Sequence, residues 1–329
     1  MRWSWPFTTR NGNGDHGYRE TCTDRNGGDS NHFAGDACPD FLCVGAQKAG
    51  TSWLYQQLER HPDFWMPPLK ELHYLDRLNR TKRFHSPRCG DERDRCFLQS
   101  MEALRGRFYL DLESYGELFS HKGPLVSGDI SPAYSTLNDE IVERVANHFP
   151  KLKVLFLARD PVERAWSQLS MGVRLGMIRR FDASDPDEVI RNLLNPGVLV
   201  RSHPSKVVVR WKRYVRPENF GVYFFDDLKE NPAELRRSIL VFLGADPNKP
   251  SGGLQPHQNE DAKRSKLRLT ANVRERMARF FQQELKACAA ELGGRAKSWP
   301  ARYGFSLLLM FWDLLDDSVD LFFWCDWIG

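Results

Sequence analysis

The stretch F-L-C-V-G-A-Q-K-A-G-T-S-W-L-Y, Phe41 to Tyr55, decides the fold. Asp40–Ala46 reads as a buried strand and Thr51–Arg60 as the helix that follows it. The glycines between them fit a strand-loop-helix unit whose backbone N–H groups cradle phosphate at a helix N-terminus. In the triphosphate-binding form of this loop, G-x-x-x-x-G-K-[ST], a lysine follows the second glycine. Gly45, Gly50 and Ser52 fit that pattern, but Thr51 stands at the lysine position and the lysine is Lys48, in mid-loop. The cradle is kept and its cation is moved.

Working outward from the loop, further strands are expected at Leu125–Ile130, Lys153–Ala158 and Phe220–Phe225. Helical patterns fall near Asn138–Phe149, Pro161–Met177, Ser205–Tyr214 and Pro232–Leu243. Strands alternating with helices predict an α/β, P-loop-like three-layer fold, with a central, mostly parallel sheet flanked by helices. Ligands of such sheets bind at the carboxyl ends of the strands, which is where the loop lies.

The chain divides into a flexible arm (1–38), one catalytic domain (39–299) and an apolar, acidic tail (300–329). The arm is rich in Gly, Asn, Asp, Thr and Arg, with little to bury. It has no apolar core of the length a signal peptide needs, so a cytoplasmic location is expected. Lysine and arginine outnumber aspartate and glutamate 47 to 43, too slight a surplus for a nucleic-acid partner but compatible with a local anion site. Seven cysteines at irregular spacings imply no disulfide framework. In the tail, Asp313, Asp316, Asp317 and Asp320 fall at i, i+3, i+4 and i+7, so a helix there carries one acidic stripe and an apolar remainder. The apolar run Phe305–Trp312 is far short of the ~20 residues of a membrane span. Docking on its own domain or on a second subunit, as a homodimer, is expected of it; peripheral membrane contact is the alternative.

A second segment, K-V-L-F-L-A-R-D-P-V-E-R-A-W-S, Lys153 to Ser167, repeats the strand-to-helix design. Arg159 emerges at the carboxyl end of the strand, Asp160 can cap the next helix, and Pro161 fits its first position. Ser167 shares a side of that helix with Arg164. One sheet then presents two anion sites, which suits a nucleotide with phosphates at two places on its ribose better than ATP.

Q-K-A-G-T-S-W resembles the 5'-phosphosulfate loop of sulfotransferases, and A-R-D-P-V-E-R-A-W-S is similar to their 3'-phosphate segment. H-P-D-F-W-M-P-P-L-K-E-L-H-Y-L-D resembles the stretch after the loop in heparan sulfate and bacterial carbohydrate-type sulfotransferases, where a glutamate in an E-x-H-[FY] setting is the proposed base. S-G-D-I-S-P-A-Y, Ser127 to Tyr134, is similar to their G-E-K-[ST]-P-x-Y, with Asp129 at the glutamate position and Ile130 at the lysine. Y-F-F-D-D-L-K-E-N-P and V-F-L-G-A-D resemble the late strand, loop and helix, so the resemblance spans about Pro39 to Trp299.

That resemblance implies a donor, 3'-phosphoadenosine 5'-phosphosulfate (PAPS), a product, adenosine 3',5'-bisphosphate (PAP), and an acceptor hydroxyl or amine on a carbohydrate, a lipid or a small molecule. Donor contacts are expected from Gln47, Lys48, Ala49, Gly50, Thr51, Ser52, Trp53, Arg159 and Ser167. A basic loop before a late helix adds Lys263 and Arg264, with Lys266 as a competitor. Trp53 either stacks on adenine or packs under the loop. Lys48 is placed to reach the transferred group, and the acceptor's proton goes to Glu71 or to His73, which share a face if their segment is extended. Asp76 can orient either. Acceptor choice is assigned to Arg77–Tyr115 and Gly172–Ser202. No metal is expected, since this donor has no triphosphate for magnesium to bridge. Two rivals stand beside this reading: a P-loop kinase or NTPase that uses the aspartate of V-L-F-L-A-R-D-P for magnesium, and a non-catalytic scaffold on the same fold.

Overall fold

The computed structural model describes residues 38–77, 89–104, 108–249 and 266–305. Its sheet contains β1 (Phe41–Cys43), β2 (Gly128–Ile130), β3 (Lys153–Ala158) and β4 (Phe220–Phe224) in the order β2-β1-β3-β4, every pairing parallel. Neighbouring residues on a strand point to opposite faces, yet Phe41, Leu42 and Cys43 are all fully buried, as are Val154, Leu155 and Phe156. Both faces are therefore covered, which parallel strands require because their crossovers are helical.

The helices follow that logic. Among the described residues, α1 (Thr51–Glu59), α2 (Glu92–Ala103) and α3 (Leu112–Glu117) lie between β1 and β2, and α4 (Asp139–His148) between β2 and β3. Next come α5 (Pro161–Arg174), α6 (Pro186–Leu193), α7 (Pro196–Leu199) and α8 (Pro204–Tyr214), then β4 and α9 (Phe225–Glu230), α10 (Pro232–Leu243), α11 (Ala271–Phe280) and α12 (Gln282–Glu291). The strand order places β1 in the interior, with the chain leaving it toward β2 on one side and β3 on the other. The loop after β1 thus opens at the point where an α/β sheet binds ligands.

Three strand boundaries differ from expectation. After Cys43 the chain parts from β2, but the N–H groups of Val44 and Ala46 still donate to Leu155 and Leu157 of β3 at 2.9 and 2.8 Å. That one-sided pairing carries the loop toward β3. Val126 leaves the expected second strand because it pairs with the chain at Asp63–Trp65 instead. Phe225 begins α9 rather than ending β4.

No helix among the described residues is long and apolar enough to cross a membrane. They also hold no cluster of histidine, cysteine, aspartate or glutamate fit for a metal ion. The arm, the four aspartates of the tail, and the expected donor contacts Lys263 and Arg264 lie outside the described residues. Pro300–Tyr303, by contrast, forms a short 3-10 turn in contact with the domain.

Candidate active site

The loop after β1 is shaped for an anion. Gly50 precedes α1 with φ 95°, and a Cβ there would lie 2.5 Å from Leu228 Cδ2, so only glycine fits. No side chain caps α1 and its first turn carries no acidic residue. By contrast α2, α4, α5, α6, α10 and α11 are each capped by a side-chain oxygen. The first N–H groups of α1, with the positive end of its dipole, are left for a ligand.

Lys48 has φ 72°, a left-handed backbone that a lysine adopts only at a cost of about 1–3 kcal/mol. Its Nζ lies 3.6 Å from Met171 Sδ on α5. Burial, then the positive charges of Arg159, Arg174, Lys266 and Arg164, lower its pKa to about 8. Like charges gathered around a half-buried ammonium, with no carboxylate bonded to it among the described residues, repel one another until an anion joins them.

Arg159 leaves the carboxyl end of β3 and donates from Nη1 to the Lys48 carbonyl at 2.6 Å. Its guanidinium lies 4.3 Å over the Phe225 ring, and its Nε is buried with no hydrogen-bond partner. Gln47 Oε1 is likewise buried and unpartnered. Asp160 caps α5 as expected, accepting from the Val162 and Glu163 N–H groups at 2.9 and 3.3 Å. Ser167 sits one turn before Met171 on α5, on the row that Lys48 touches. Arg164 turns away into the core, donating to Ser202 Oγ, the Val198 carbonyl and Gln168. Trp166 Nε1 donates to the Leu267 carbonyl at 3.2 Å, which brings Lys266 within electrostatic reach of Lys48.

Two of the expected donor contacts are engaged within the chain itself. Trp53 is 2% exposed and packs into the core in this structure. The Ala49 N–H is already used, donating to the Ala46 carbonyl at 3.1 Å. Thr51 is buried beneath the loop, while Ser52 is half-buried.

Glu71 and His73 meet, though not as expected. Their segment is no extended strand: Glu71 has φ 66° and His73 φ 56°. Glu71, His73 and Lys48 are the three non-glycine residues at positive φ among the described residues. His73 Nε2 lies 3.4 Å from Glu71 Oε2 and its Nδ1 lies 3.0 Å from Asp76 Oδ1, so the imidazole bridges two carboxylates. Lys70 Nζ pairs with Glu71 Oε1 at 2.5 Å. Burial works to raise the Glu71 pKa, but the His73 hydrogen bond and the Lys70 charge outweigh it and hold the carboxyl down to about 2. Burial works to lower the His73 pKa, and its bonds to Asp76 and Glu71 raise it above the ordinary value. Glu71 is 35% exposed, against 12% for His73 and 11% for Asp76.

What forces two left-handed residues into one short turn is a set of buried side chains from S-G-D-I-S-P-A-Y. Leu72 N–H donates to Asp129 Oδ1 at 3.4 Å and His73 N–H to Ser131 Oγ at 3.3 Å. The N–H groups of Tyr74 and Leu75 both donate to the Tyr134 hydroxyl, at 3.1 and 3.4 Å. Asp129 in turn accepts from the hydroxyls of Ser131, Tyr134 and Tyr115 at 2.7, 2.5 and 3.1 Å. Four successive N–H groups are thus held by one segment that runs from within β2 to just past its end. The spacing D-x-S-x-x-Y carried this signal, but nothing in it named the partner.

The segments therefore collect at the carboxyl ends of three adjacent strands: the Glu71 turn over β2, the Lys48 loop after β1, and Arg159 after β3. Adjacent strands lie only about 4.8 Å apart, so the three form one site. Residues 39–248 match the sulfotransferase family. The chain belongs to that family. Over 227 residues it is 25% identical to the bifunctional heparan sulfate N-deacetylase/N-sulfotransferase 2 of Homo sapiens; the matched part is 64% of this chain and 22% of that protein. The crystal structure of a sulfotransferase from Alicyclobacillus acidocaldarius shares 25% identity and a TM-score of 0.57, covering 79% of this chain and 98% of the other.

Within this sulfotransferase, the residue at the lysine position of G-E-K-[ST]-P-x-Y is Ile130, a core residue 2% exposed. Arg201, on the turn after α7, was not foreseen. Burial lowers its pKa while the charges of Asp76 and Glu71 oppose that fall, so Arg201, within the Gly172–Ser202 stretch, lies in electrostatic reach of the Glu71 turn.

Proposed function

We propose that this sulfotransferase moves the sulfuryl group of PAPS to a hydroxyl or amine of a carbohydrate, lipid or small-molecule acceptor. The observation that carries the reading is the concentration of positive charge beside an uncapped helix: Lys48, Arg159 and Lys266 around the N-terminus of α1, where the Glu163 carboxylate reaches Arg159 at 3.8 Å and no carboxylate among the described residues bonds to Lys48. A donor with separate phosphates at its 5' and 3' positions matches two anion sites on neighbouring strand ends. The loop N–H groups and Lys48 would hold the 5'-phosphosulfate, and Arg159 with Ser167 the 3'-phosphate.

In the reaction the acceptor oxygen or nitrogen forms a bond to sulfur as the bond from sulfur to the 5'-phosphate oxygen breaks. The electron pair of that bond stays on the phosphate oxygen, where the Lys48 ammonium and the α1 N–H groups stabilise it. The acceptor's proton goes to Glu71, the more open of the two candidate bases. A carboxyl held near 2 is ionised throughout the neutral range and accepts a proton only once bonding to sulfur has made that proton acidic. His73, whose bonds to Glu71 and Asp76 favour its protonated form, aims the carboxylate rather than receiving the proton.

The kinase alternative loses its magnesium ligand. One Asp160 oxygen caps α5 and the other accepts from Tyr303, so the aspartate that such an enzyme needs is committed to structure. Thermal melting with PAP, against ATP plus magnesium, tests the donor. A ligand at 100 times its Kd stabilises by about 2.7 kcal/mol, so PAP is expected to raise Tm by several degrees and ATP with magnesium to do less. Preference for ATP would overturn the reading.

A further inference from the structure

The donor-site arginine is held from a direction that the family match, which ends at residue 248, does not cover. Arg159 lies over the Phe225 ring and pairs with Glu163 Oε2 at 3.8 Å; its chain neighbour is Asp160, and Phe225 is followed by Asp226. Both aspartates are gripped by the turn at Pro300–Tyr303 and the residue before it. Tyr303 donates its hydroxyl to Asp160 Oδ2 at 3.0 Å, and Arg302 Nη1 lies 3.8 Å from the same oxygen. Arg302 Nη2 pairs with Asp226 Oδ1 at 3.0 Å, while Trp299 Nε1 donates to Asp226 Oδ2 at 3.0 Å. Asp160 therefore divides its work: Oδ1 caps α5, and Oδ2 ties the start of that helix to the turn.

We propose that Arg302 and Tyr303 are positioning residues for the donor's 3'-phosphate, acting on Arg159 through Asp160 and Asp226. The inference rests on the PAPS reading above and adds to it a part of the chain with no contact to the donor required of it. Asp160 is 1% exposed and Trp299 fully buried, so the bonds from Tyr303 to Asp160 and from Trp299 to Asp226 are shielded from water on at least one side, while Arg302, 35% exposed, closes the turn from the solvent side. The consequence is directional. A guanidinium held by the Phe225 face, the Lys48 carbonyl and Glu163, which is on the helix that Asp160 caps, has its unpartnered Nε as a remaining donor, and shifting either aspartate re-aims it.

The test compares PAP with adenosine 5'-phosphosulfate, which lacks the 3'-phosphate, by titration calorimetry on the full chain. Tyr303→Phe and Arg302→Gln are each expected to weaken PAP about fivefold or more and to leave adenosine 5'-phosphosulfate within twofold, with Arg302→Lys retaining most of the affinity. In an Arg159→Ala background the same two changes should have no further effect on PAP. Equal losses for both ligands, or no loss for either, would overturn the positioning role, since a merely structural turn does not single out one phosphate. Arg159→Ala leaving PAP affinity unchanged would instead overturn the assignment of Arg159 to the 3'-phosphate, and the proposal with it.

Discussion

Lys48 carries the most specific expectation at the scale of a single residue. In the role proposed for it, stabilising the leaving phosphate, it must be charged, and its pKa lies near 8. kcat/KM should therefore fall as pH rises through about 8, a limb that Lys48→Met removes along with most of the activity. PAP, being anionic, raises the pKa of the ammonium it meets, so between pH 8 and the raised value its binding takes up protons. Calorimetry in buffers of different ionisation enthalpy reads that uptake directly. For Glu71, the change to Gln is expected to lower kcat about 10²–10⁴-fold while PAP affinity stays within twofold, because the proposed base acts on the acceptor and not on the donor. An unchanged kcat would remove it as the base.

The strand-loop-helix unit, the Asp160 cap and the Arg159 strand end were all legible in the sequence at the scale of elements, because each follows from local spacing and capping chemistry. The Glu71 turn was not. Its left-handed residues are imposed by Asp129, Ser131 and Tyr134, more than fifty residues away in the chain, and no local propensity announces a fold-back of that kind. Trp53 was ambiguous for a similar reason, since a tryptophan at a loop can pack or stack and only the tertiary fill decides. Two variants check the elements. Tyr134→Phe leaves the Tyr74 and Leu75 N–H groups without their acceptor, and should cost about 1–3 kcal/mol of stability and about tenfold or more in kcat, with PAP binding kept. Gly128→Ala would drive a methyl against the Phe41 carbonyl oxygen across the β1–β2 ladder, and a melt should show a loss of about 3 kcal/mol or failure to fold.

The whole molecule converts a parallel sheet into a row of strand ends, and the site exists only because β2, β1 and β3 are neighbours. That adjacency was inferable as a class of fold but not as an order, since the sequence states which strands exist and not which pair. The same architecture sets a conflict between holding together and doing chemistry. Lys48 combines a left-handed backbone with a half-buried ammonium among other cations, and both features oppose folding while serving a bound anion. Below pH 8 that burden is fully present; it lifts as pH rises from 8 toward 10.5, where the unfolded chain alone still binds the proton. Lys48→Gly removes the repulsion and the disfavoured φ together. Replacing a left-handed residue by glycine is worth about 1 kcal/mol, or roughly 2–4 °C in a domain of this size. With Lys48 in its proposed role, the Lys48→Gly protein should melt higher than its parent and transfer nothing, so a selection for thermal stability alone would drive the chain to discard the residue its proposed chemistry needs.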